Sequence, residues 1–336
     1  MVPKWTVCVL WLAAGCLLLQ AAEPASLPRD TLPANLSLTD IPLGLDGKRP
    51  VPIDNRLTEA KVRLGRQLFF DPILSADGTL SCASCHHPEH GFAGASALAV
   101  GIGGKKGRRN APSLLNRAYG GSFFWDGRAA TLEAQALHPI ASPLEMGATV
   151  TQAVTRLQEN KQYVAQFQAA FSDGVTSANL ARALASFERV LLTGSTRIDR
   201  FRAGEVQALN ENERHGLWLY ESRGRCWRCH SGPNFTDEDF HNTGVSWGKT
   251  PADTGRHEVT GHEADRGRFK TPSLRGLTAT APYMHDGSMA TLTDVVEFYS
   301  RGGVNNPNLD PALAPLGLSK ADARDLVAFL KALSNP

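Results

Sequence analysis

The chain has 336 residues, of which 35 are basic and 33 acidic, so its formal net charge is only +2. This balance argues against nucleic acid or an anionic membrane surface as a partner, because both attract proteins with a large excess of basic charge. The length is sufficient for two domains, and a hydrophobic share of 42% is typical of globular proteins.

The first predicted element is an export signal. Lys4 precedes an apolar run at residues 5–19, and polar residues follow, so residues 1–22 have the layout of a secretory signal peptide. The run is short for a membrane span, and no other stretch is long enough, so we expect no transmembrane segment in the mature chain. Residues 12–16 resemble a lipobox, which leaves a lipid anchor at Cys16 as an alternative to soluble export. Both alternatives place the mature chain in the periplasm.

Helical periodicity dominates the rest of the chain. It predicts helices over 58–70, 129–137, 151–171 and 177–192, the last with Gly194 as its C-cap, and later over 210–220, 291–301 and 319–333. No stretch has a convincing strand pattern. We therefore predict a mostly α-helical fold with long loops, divided at the 193–208 segment into an N-terminal domain (23–195) and a C-terminal domain (196–336).

Outside the signal peptide, all four cysteines lie in two CxxCH motifs: Cys82, Cys85 and His86, and Cys226, Cys229 and His230. Two thiols at this spacing can form thioethers with the vinyl groups of a haem while the adjacent imidazole binds the iron. A four-cysteine zinc site or structural disulfides would not explain a histidine after both pairs. The motifs therefore predict two covalently bound c-type haems, one in each domain.

Two c-type haems do not by themselves indicate an enzyme, because many di-haem cytochromes only carry electrons and have both irons closed by histidine or methionine ligands. Outside the signal peptide there are three methionines, Met146, Met284 and Met289, and none stands in an obvious ligand loop. An electron carrier is therefore the non-enzymatic alternative.

Further motifs make the sequence similar to a known family. Residues 68–72 (LFFDP), 109–112 (RNAP), 124–129 (FWDGRA) and 281–287 (APYMHDG) occur in order around the two haem motifs. Together they resemble the bacterial di-haem cytochrome c peroxidase and MauG family over nearly the whole mature chain. The resemblance implies two cytochrome-c-like helical domains, of which the first is peroxidatic and the second transfers electrons.

The same resemblance assigns roles to individual residues. It implies that Trp125 lies between the haems and that Gln135, Glu145 and Pro139 form the distal pocket of the first haem. A carboxylate in that pocket could take a proton from one peroxide oxygen and deliver it to the other. Without the resemblance, Trp125 would be interpreted as a core aromatic residue and Glu145 as an exposed loop carboxylate.

A calcium site between the domains is also implied by the resemblance. Its protein ligands would be the side chain of Asn110 and the backbone carbonyls of Thr280 and Pro282, completed by water. Oxygen ligands of this kind suit a hard cation.

Two departures from the ordinary peroxidases indicate the MauG-like branch, which includes the related MbnH proteins. The loop at 100–104 (VGIGG) lacks the histidine that closes the first haem in ordinary members. Tyr299 stands where those members have a methionine ligand to the second haem, as in MauG. Tyr299 shares a predicted helix face with Leu292 and Val296, so it either binds the second iron or packs in the core.

The expected activity is therefore reduction of hydrogen peroxide at the first haem. The oxidising equivalents would pass through Trp125 to the second haem and would be spent on a partner protein, with tryptophan as the target residue. The alternative is a conventional peroxidase that takes electrons from a small cytochrome c or cupredoxin. The surface tryptophan that relays oxidation in MauG corresponds to Gly224 here, which leaves Trp218 or Trp227 as the residues through which oxidising equivalents could leave.

We expect His285 to hydrogen-bond within its own loop or to a haem propionate, and His241 to be a solvated loop residue.

Overall fold

The computed structural model describes residues 1–2, 27–34 and 36–335, so most of the predicted signal peptide and Cys16 lie outside the described residues. Ten α-helices occur in that part: α1 Glu59–Phe70, α2 Leu132–Ala141, α3 Val150–Glu159, α4 Lys161–Ala170, α5 Ser177–Glu188, α6 Arg197–Arg202, α7 Glu211–Glu221, α8 His257–Thr260, α9 Leu292–Ser300 and α10 Lys320–Ala332. The mostly α-helical prediction is confirmed. Across these described residues, every helix is too short or too polar to span a bilayer.

Two hydrophobic cores are each built around a close crossing of two helices. In the first half, a Cβ on Gly65 of α1 would lie 2.0 Å from the carbonyl oxygen of Ala183 on α5. In the second half, a Cβ on Gly216 of α7 would lie 2.0 Å from the carbonyl oxygen of Asp325 on α10. Glycine is therefore required at both crossings, and the two halves repeat one packing solution.

The two cores occupy different parts of the sequence. Buried residues of the first core run from Val62 to Leu191, and those of the second run from Ile198 to Leu333. The segment before α1 covers the first core: Leu32 packs against it, and Arg66 binds the carboxylate of Asp30 (Nη2–Oδ1 2.8 Å).

The predicted helix at 151–171 is wrong in one respect, because the structure has two helices there. The side chain of Asn160 accepts hydrogen bonds from the backbone N–H groups of Gln162 and Tyr163, so it caps the start of α4. A residue with capping geometry cannot continue the preceding helix, and α3 therefore ends at Glu159.

The helix predicted over 177–192 ends at Glu188, and Gly194 is not its cap. Beyond that point the backbone bonds to Asn116 instead. The carbonyl of Leu191 accepts from the Asn116 N–H (2.8 Å), and the N–H of Thr193 donates to the Asn116 side chain (2.8 Å). Tertiary hydrogen bonds thus replace the last helical turn.

The expectation of no strands was also wrong in a small respect. Strands β1 (Phe240–His241) and β2 (Phe269–Lys270) form an antiparallel pair with Phe240 opposite Lys270. These strands have two residues each and no alternating burial pattern, so periodicity could not reveal them. The pair brings Lys270 towards the first half, where its N–H donates to the carbonyl of Trp125 (2.7 Å).

Candidate haem sites

The two CxxCH motifs have the same local structure. Each cysteine pair begins with a 3₁₀ turn, at Cys82–Ser84 and at Cys226–Arg228. The N–H of His86 then donates to the carbonyl of Cys82 (3.0 Å), and the N–H of His230 donates to that of Cys226 (2.9 Å). In both motifs, one backbone turn therefore presents two thiols and an imidazole together.

The histidine rings are oriented in the same way in both motifs. Nδ1 of His86 lies 3.0 Å from the carbonyl oxygen of Phe92, and Nδ1 of His230 lies 3.1 Å from that of Phe235. Because a carbonyl can only accept, Nδ1 carries the proton in each ring and Nε2 is left free to bind a metal. Burial lowers the pKa of both imidazoles, which favours the neutral form that binds iron.

The four thiols form no disulfide. Cys82 packs against the first core and Cys226 against the second, so the two pairs do not converge on one four-cysteine zinc site. Burial raises the pKa of Cys82 and of Cys226 to about 12 and that of Cys85 to about 11. Two separate pairs, each with its own histidine, fit one haem c apiece.

His241 lies beside the second motif and is not the solvated residue that the sequence suggested. Its Nδ1 lies 2.6 Å from Oδ2 of Asp310, and its Nε2 lies 3.0 Å from Oδ2 of Asp237. Ligand atoms of Cys229, Asp237 and His241 lie within 4.8 Å of one another. A thioether at Cys229 would remove its thiolate, so the remaining ion pairs of His241 brace the loop around the second motif.

A cavity of about 430 Å³ adjoins the first motif and is lined by Cys82, Cys85 and His86. Cationic side chains from both halves of the chain also line it, among them Arg109, Arg128 and Lys270. Thiols and an imidazole at one side with cations elsewhere suit a haem, whose propionates are anionic.

The predicted distal residues converge on this cavity. Gln135 and Pro139 are four residues apart on α2 and present one face of that helix to it, and Glu145 lies in the turn that follows the helix. Burial raises the pKa of Glu145, while the positive charge of Arg128 acts in the opposite direction. The structure thus brings all three predicted residues into the cavity that holds His86.

The loop that lacks a histidine is held against Glu145. The N–H of Ile102 donates to the Glu145 carbonyl (2.7 Å). A Cβ on Gly101 would lie 1.9 Å from the Leu144 carbonyl oxygen, so this approach requires glycine. The side chain of Ile102 is directed at Gly147, where a Cβ would lie 3.0 Å from it, and does not line the cavity.

Trp125 lies between the two halves. Its indole N–H donates to the carbonyl of Asn110 (2.9 Å), and its ring also lines the first cavity. On the other side, its ring centre is 6.3 Å from that of His285, which belongs to the second half. The ring is therefore fixed by a hydrogen bond from one half and packing from the other.

Tyr299 lies near the end of α9 and is not part of the second hydrophobic core, although Leu292 and Val296 of the same helix are. Burial raises the pKa of its phenol, and the charges of Cys229 and Cys226 act in the same direction. Tyr299 is therefore a shielded phenol on α9 that lies outside the side chains of the second core.

The three predicted calcium ligands come from the two halves of the chain. Asn110 is buried, and its N–H donates to the His285 carbonyl (2.7 Å), which draws it towards the loop that contains Thr280 and Pro282. The side-chain amide of Asn110 donates to Ser96 (2.9 Å), which leaves its oxygen free to face a cation. Neutral oxygen donors of this kind are compatible with Ca²⁺.

The predicted hydrogen bond of His285 within its own loop was wrong, and sequence reasoning missed Glu188. His285 bonds to Ser246 of another loop (Nε2–Oγ 2.6 Å) and stacks on Phe269 with ring centres 3.6 Å apart. Burial lowers the pKa of His285 to about 4. Glu188 ends α5, lines the first cavity and is only 6% exposed. No local motif marks a helical glutamate as buried, so only the packing reveals it.

Two CxxCH motifs on two helical cores define a di-haem protein of the c type. The family described as di-haem cytochrome c peroxidase matches residues 59–207. Methylamine utilization protein MauG of Methylorubrum extorquens is 41% identical over 288 residues, which cover 84% of this chain and 81% of that protein. Cytochrome c551 peroxidase of Nitrosomonas europaea is 39% identical over 275 residues, or 81% and 79% of the two chains.

A solved structure agrees with these relatives. A MauG-like protein associated with microbial copper homeostasis matches with a TM-score of 0.79 at 34% identity and covers 90% of this chain and 96% of that one. The chain belongs to the di-haem cytochrome c peroxidase and MauG family. It is therefore a haem-dependent oxidoreductase with two haem groups, and its family acts on hydrogen peroxide together with a protein redox partner or substrate.

Proposed function

We propose that this protein uses hydrogen peroxide to oxidise residues of a partner protein, with tryptophan as the target, in the manner of MauG. The observation that carries the proposal is Tyr299, a shielded phenol on α9 whose pKa is raised by burial and by the charges of Cys229 and Cys226. A phenolate ligand donates more charge to iron than a thioether, so it favours higher oxidation states. A second haem with that ligand would store an oxidising equivalent instead of receiving electrons from a small carrier.

Each motif would hold one haem through its thiols, Cys82 and Cys85 or Cys226 and Cys229. His86 and His230 would be the iron ligands, since their Nε2 atoms are free. When bound, the first haem would supply redox-active iron that reacts with peroxide. Ile102 is turned away from the first cavity, which supports an open position there without prior reduction.

The residues of the cavity would manage the protons. Glu145 has a raised pKa and no ion pair among the described residues, so it can accept a proton from one peroxide oxygen and return it to the other. Gln135 would orient the peroxide, and Pro139 would close the wall of the pocket. Trp125, held by its bond to Asn110, would carry charge between the two sites.

Oxidising equivalents would leave through the surface of the second half. Trp227 lies within the second CxxCH motif and is 48% exposed, and Trp218 is 54% exposed. These are the tryptophans through which we propose that a docked partner is oxidised. The protein would act in the periplasm, since covalent haem attachment and the apolar residues 5–19 both suit an exported chain.

We also propose that Ca²⁺ binds between the halves, on the Asn110 side chain and the carbonyls of Thr280 and Pro282. Two observations support this site. The proposed ligand atoms are uncharged oxygens, and the N–H of Asn110 donates to the carbonyl of His285 in the loop that carries the other two ligands. Elemental analysis should find one calcium in the purified protein and much less in an Asn110→Ala variant. Equal calcium in both would remove Asn110 from the site.

The proposed function is tested by Tyr299→His. The wild-type ferric protein should react with peroxide, without a reductant, to form a long-lived state oxidised by two equivalents. The variant should keep a six-coordinate second haem but lose that state, because a neutral imidazole donates less charge. Tyr283→Phe is a control, since the hydroxyl of that tyrosine donates to the Leu277 carbonyl (3.1 Å). Mössbauer and electron paramagnetic resonance spectra measure both outcomes.

A conventional peroxidase is the second candidate, favoured by the 39% identity to cytochrome c551 peroxidase of Nitrosomonas europaea. It would require a reduced second haem and would turn over rapidly with a small cytochrome donor. If the ferric wild type does not react with peroxide until one electron is added, this candidate replaces the first.

A further inference from the structure

The first cavity contains a carboxyl group that the proposed mechanism does not use. Glu188 is 6% exposed, and its Oε2 is buried without a hydrogen-bond partner among the described residues. It lines the same cavity as His86 and Glu145. Ionising a carboxyl that is buried and has no partner costs free energy, because the charge loses its contact with water. The presence of such a group in the cavity therefore needs a chemical explanation.

The neighbouring charges do not pair with Glu188. Arg189, the next residue, donates both of its terminal nitrogens to Glu133 on α2 (2.6 and 2.9 Å). Arg117 donates to both oxygens of Glu238 (2.9 and 3.1 Å). Burial and the nearby Glu133 therefore outweigh these cations and raise the pKa of Glu188 to about 8. The group is an acid that keeps its proton at neutral pH.

A second carboxyl nearby is in a different state. Glu133, whose side chain is 21% exposed, is bound by Arg189 and Asn55 (2.6 and 2.7 Å). Although burial acts in the opposite direction, these contacts lower the pKa of Glu133. Glu133 is therefore the ionised partner of Arg189, whereas Glu188 is the carboxyl that holds a proton.

We propose that Glu188 is an internal proton donor that supplies the first haem cavity with the protons consumed in peroxide reduction. The inference rests on the proposed function. Reduction follows H₂O₂ + 2H⁺ + 2e⁻ → 2H₂O: the O–O bond breaks and two O–H bonds form. The partner protein gives up both electrons as it is oxidised, and the protons that its oxidation releases pass to solvent at the partner and not to the cavity. Glu145 only moves a proton from one oxygen to the other, so the two consumed protons need another source. Glu188 releases its proton into the cavity, regains one from solvent that enters the cavity, and so can deliver the two protons in turn.

Infrared spectroscopy tests the protonated state directly. At pH 7 the haem-loaded wild type should show a carboxylic acid C=O band that is absent from Glu188→Gln and retained in Glu297→Gln, a control at an exposed pair with Arg301. The band should disappear as the pH rises through about 8. A band that persists in Glu188→Gln, or none in the wild type, would overturn the inference while leaving the proposed function intact.

Kinetics test the donor role. In this experiment the protein first reacts with peroxide, and an electron donor is then added. The Glu188→Gln variant should return to the resting state about a hundredfold more slowly than the wild type. The initial reaction with peroxide should be slowed much less than this return, because Glu145 carries the proton between the two oxygens in that step. A normal return in Glu188→Gln with intact haem content would give the residue a purely structural role. Failure of the wild type itself to react with peroxide would contradict the proposed function instead.

Discussion

Glu145 and Glu188 line the same cavity, but each has different surroundings and a different proposed role. Glu145 follows α2 and is only partly buried, whereas Glu188 is enclosed between α2 and α5. Burial raises the pKa of both, that of Glu188 to about 8, and Arg128 acts against the rise at Glu145. Different surroundings of two carboxyls in one site are how proteins assign different proton-transfer tasks to identical groups.

Glu145→Gln should slow the reaction with peroxide by about a hundredfold, because an amide cannot accept and return the proton. Stopped-flow absorbance after mixing with peroxide measures the rate, and haem content should be unchanged because Glu145 is not an iron ligand. Glu159→Gln, at the exposed end of α3, serves as the control. An unchanged rate in Glu145→Gln would return Glu145 to the role of a loop carboxylate.

Glu188→Gln should also alter the dependence of stability on pH. The folded-state pKa of Glu188 is about 8, well above its ordinary value of 4.5. Between these values the folded state holds the extra proton, so wild-type stability should fall by about 1.4 kcal/mol per pH unit from this group. The variant has no such titration, so its free energy of unfolding should rise relative to that of the wild type from pH 5 to pH 8. Urea unfolding measures both. Parallel curves would show that Glu188 is ionised in the fold.

At the scale of elements, α2 and the loop at 101–104 position the peroxide site together. Pro139 lies inside α2 and has no N–H, so the Gln135 carbonyl loses its helical partner at the cavity face. The loop holds the following turn through the bond from Ile102 to Glu145 (2.7 Å). The position of Glu145 therefore depends on a glycine loop that does not itself enter the cavity.

Gly101→Ala tests this arrangement. The new Cβ would lie 1.9 Å from the Leu144 carbonyl oxygen, so the loop and the Glu145 segment must separate. We expect a slower reaction with peroxide and a lower unfolding midpoint, measured by stopped flow and thermal denaturation. Gly121→Ala is the matched control, because nothing lies within 4 Å of its added Cβ. Equal rates in the two variants would mean that the loop does not position Glu145.

At the scale of the molecule, buried ion pairs join the two halves. Glu238 of the second half binds Arg117 of the first half and Lys270 of β2 (2.9 Å to each). Although burial acts in the opposite direction, these two cations lower the pKa of Glu238 to about 2. Because all three groups are largely shielded from water, the pairing constrains how the halves, and the haems they carry, face each other.

Glu238→Gln should therefore destabilise the protein by about 3–5 kcal/mol, since it leaves two buried cations without a carboxylate. Glu297→Gln removes a pair whose side chains are 69% and 59% exposed, and it should cost less than about 1 kcal/mol. Denaturant unfolding of the haem-loaded protein measures both. Similar small losses would show that the contact between the halves does not depend on this cluster.

The sequence alone determined the features whose chemistry lies within a short stretch of chain. Each CxxCH motif contains both thiols and the imidazole in one turn, and the capping residues at Asn210, Thr291 and Ser319 mark where three helices begin. Local hydrogen bonds and helical periodicity were sufficient for the mostly helical fold. They failed where tertiary partners compete with the helix, as Asn116 does at the end of α5.

Only the tertiary structure decided which distant groups share a cavity and how water is excluded from them. Glu188 lies within an ordinary helical stretch of sequence, and it becomes a buried acid because α2 packs against it and its neighbouring arginines bind Glu133 and Glu238. His285 likewise becomes a buried ring between Trp125 and Phe269. Burial and charge pairing depend on residues more than fifty positions apart, and no local pattern of residues encodes them.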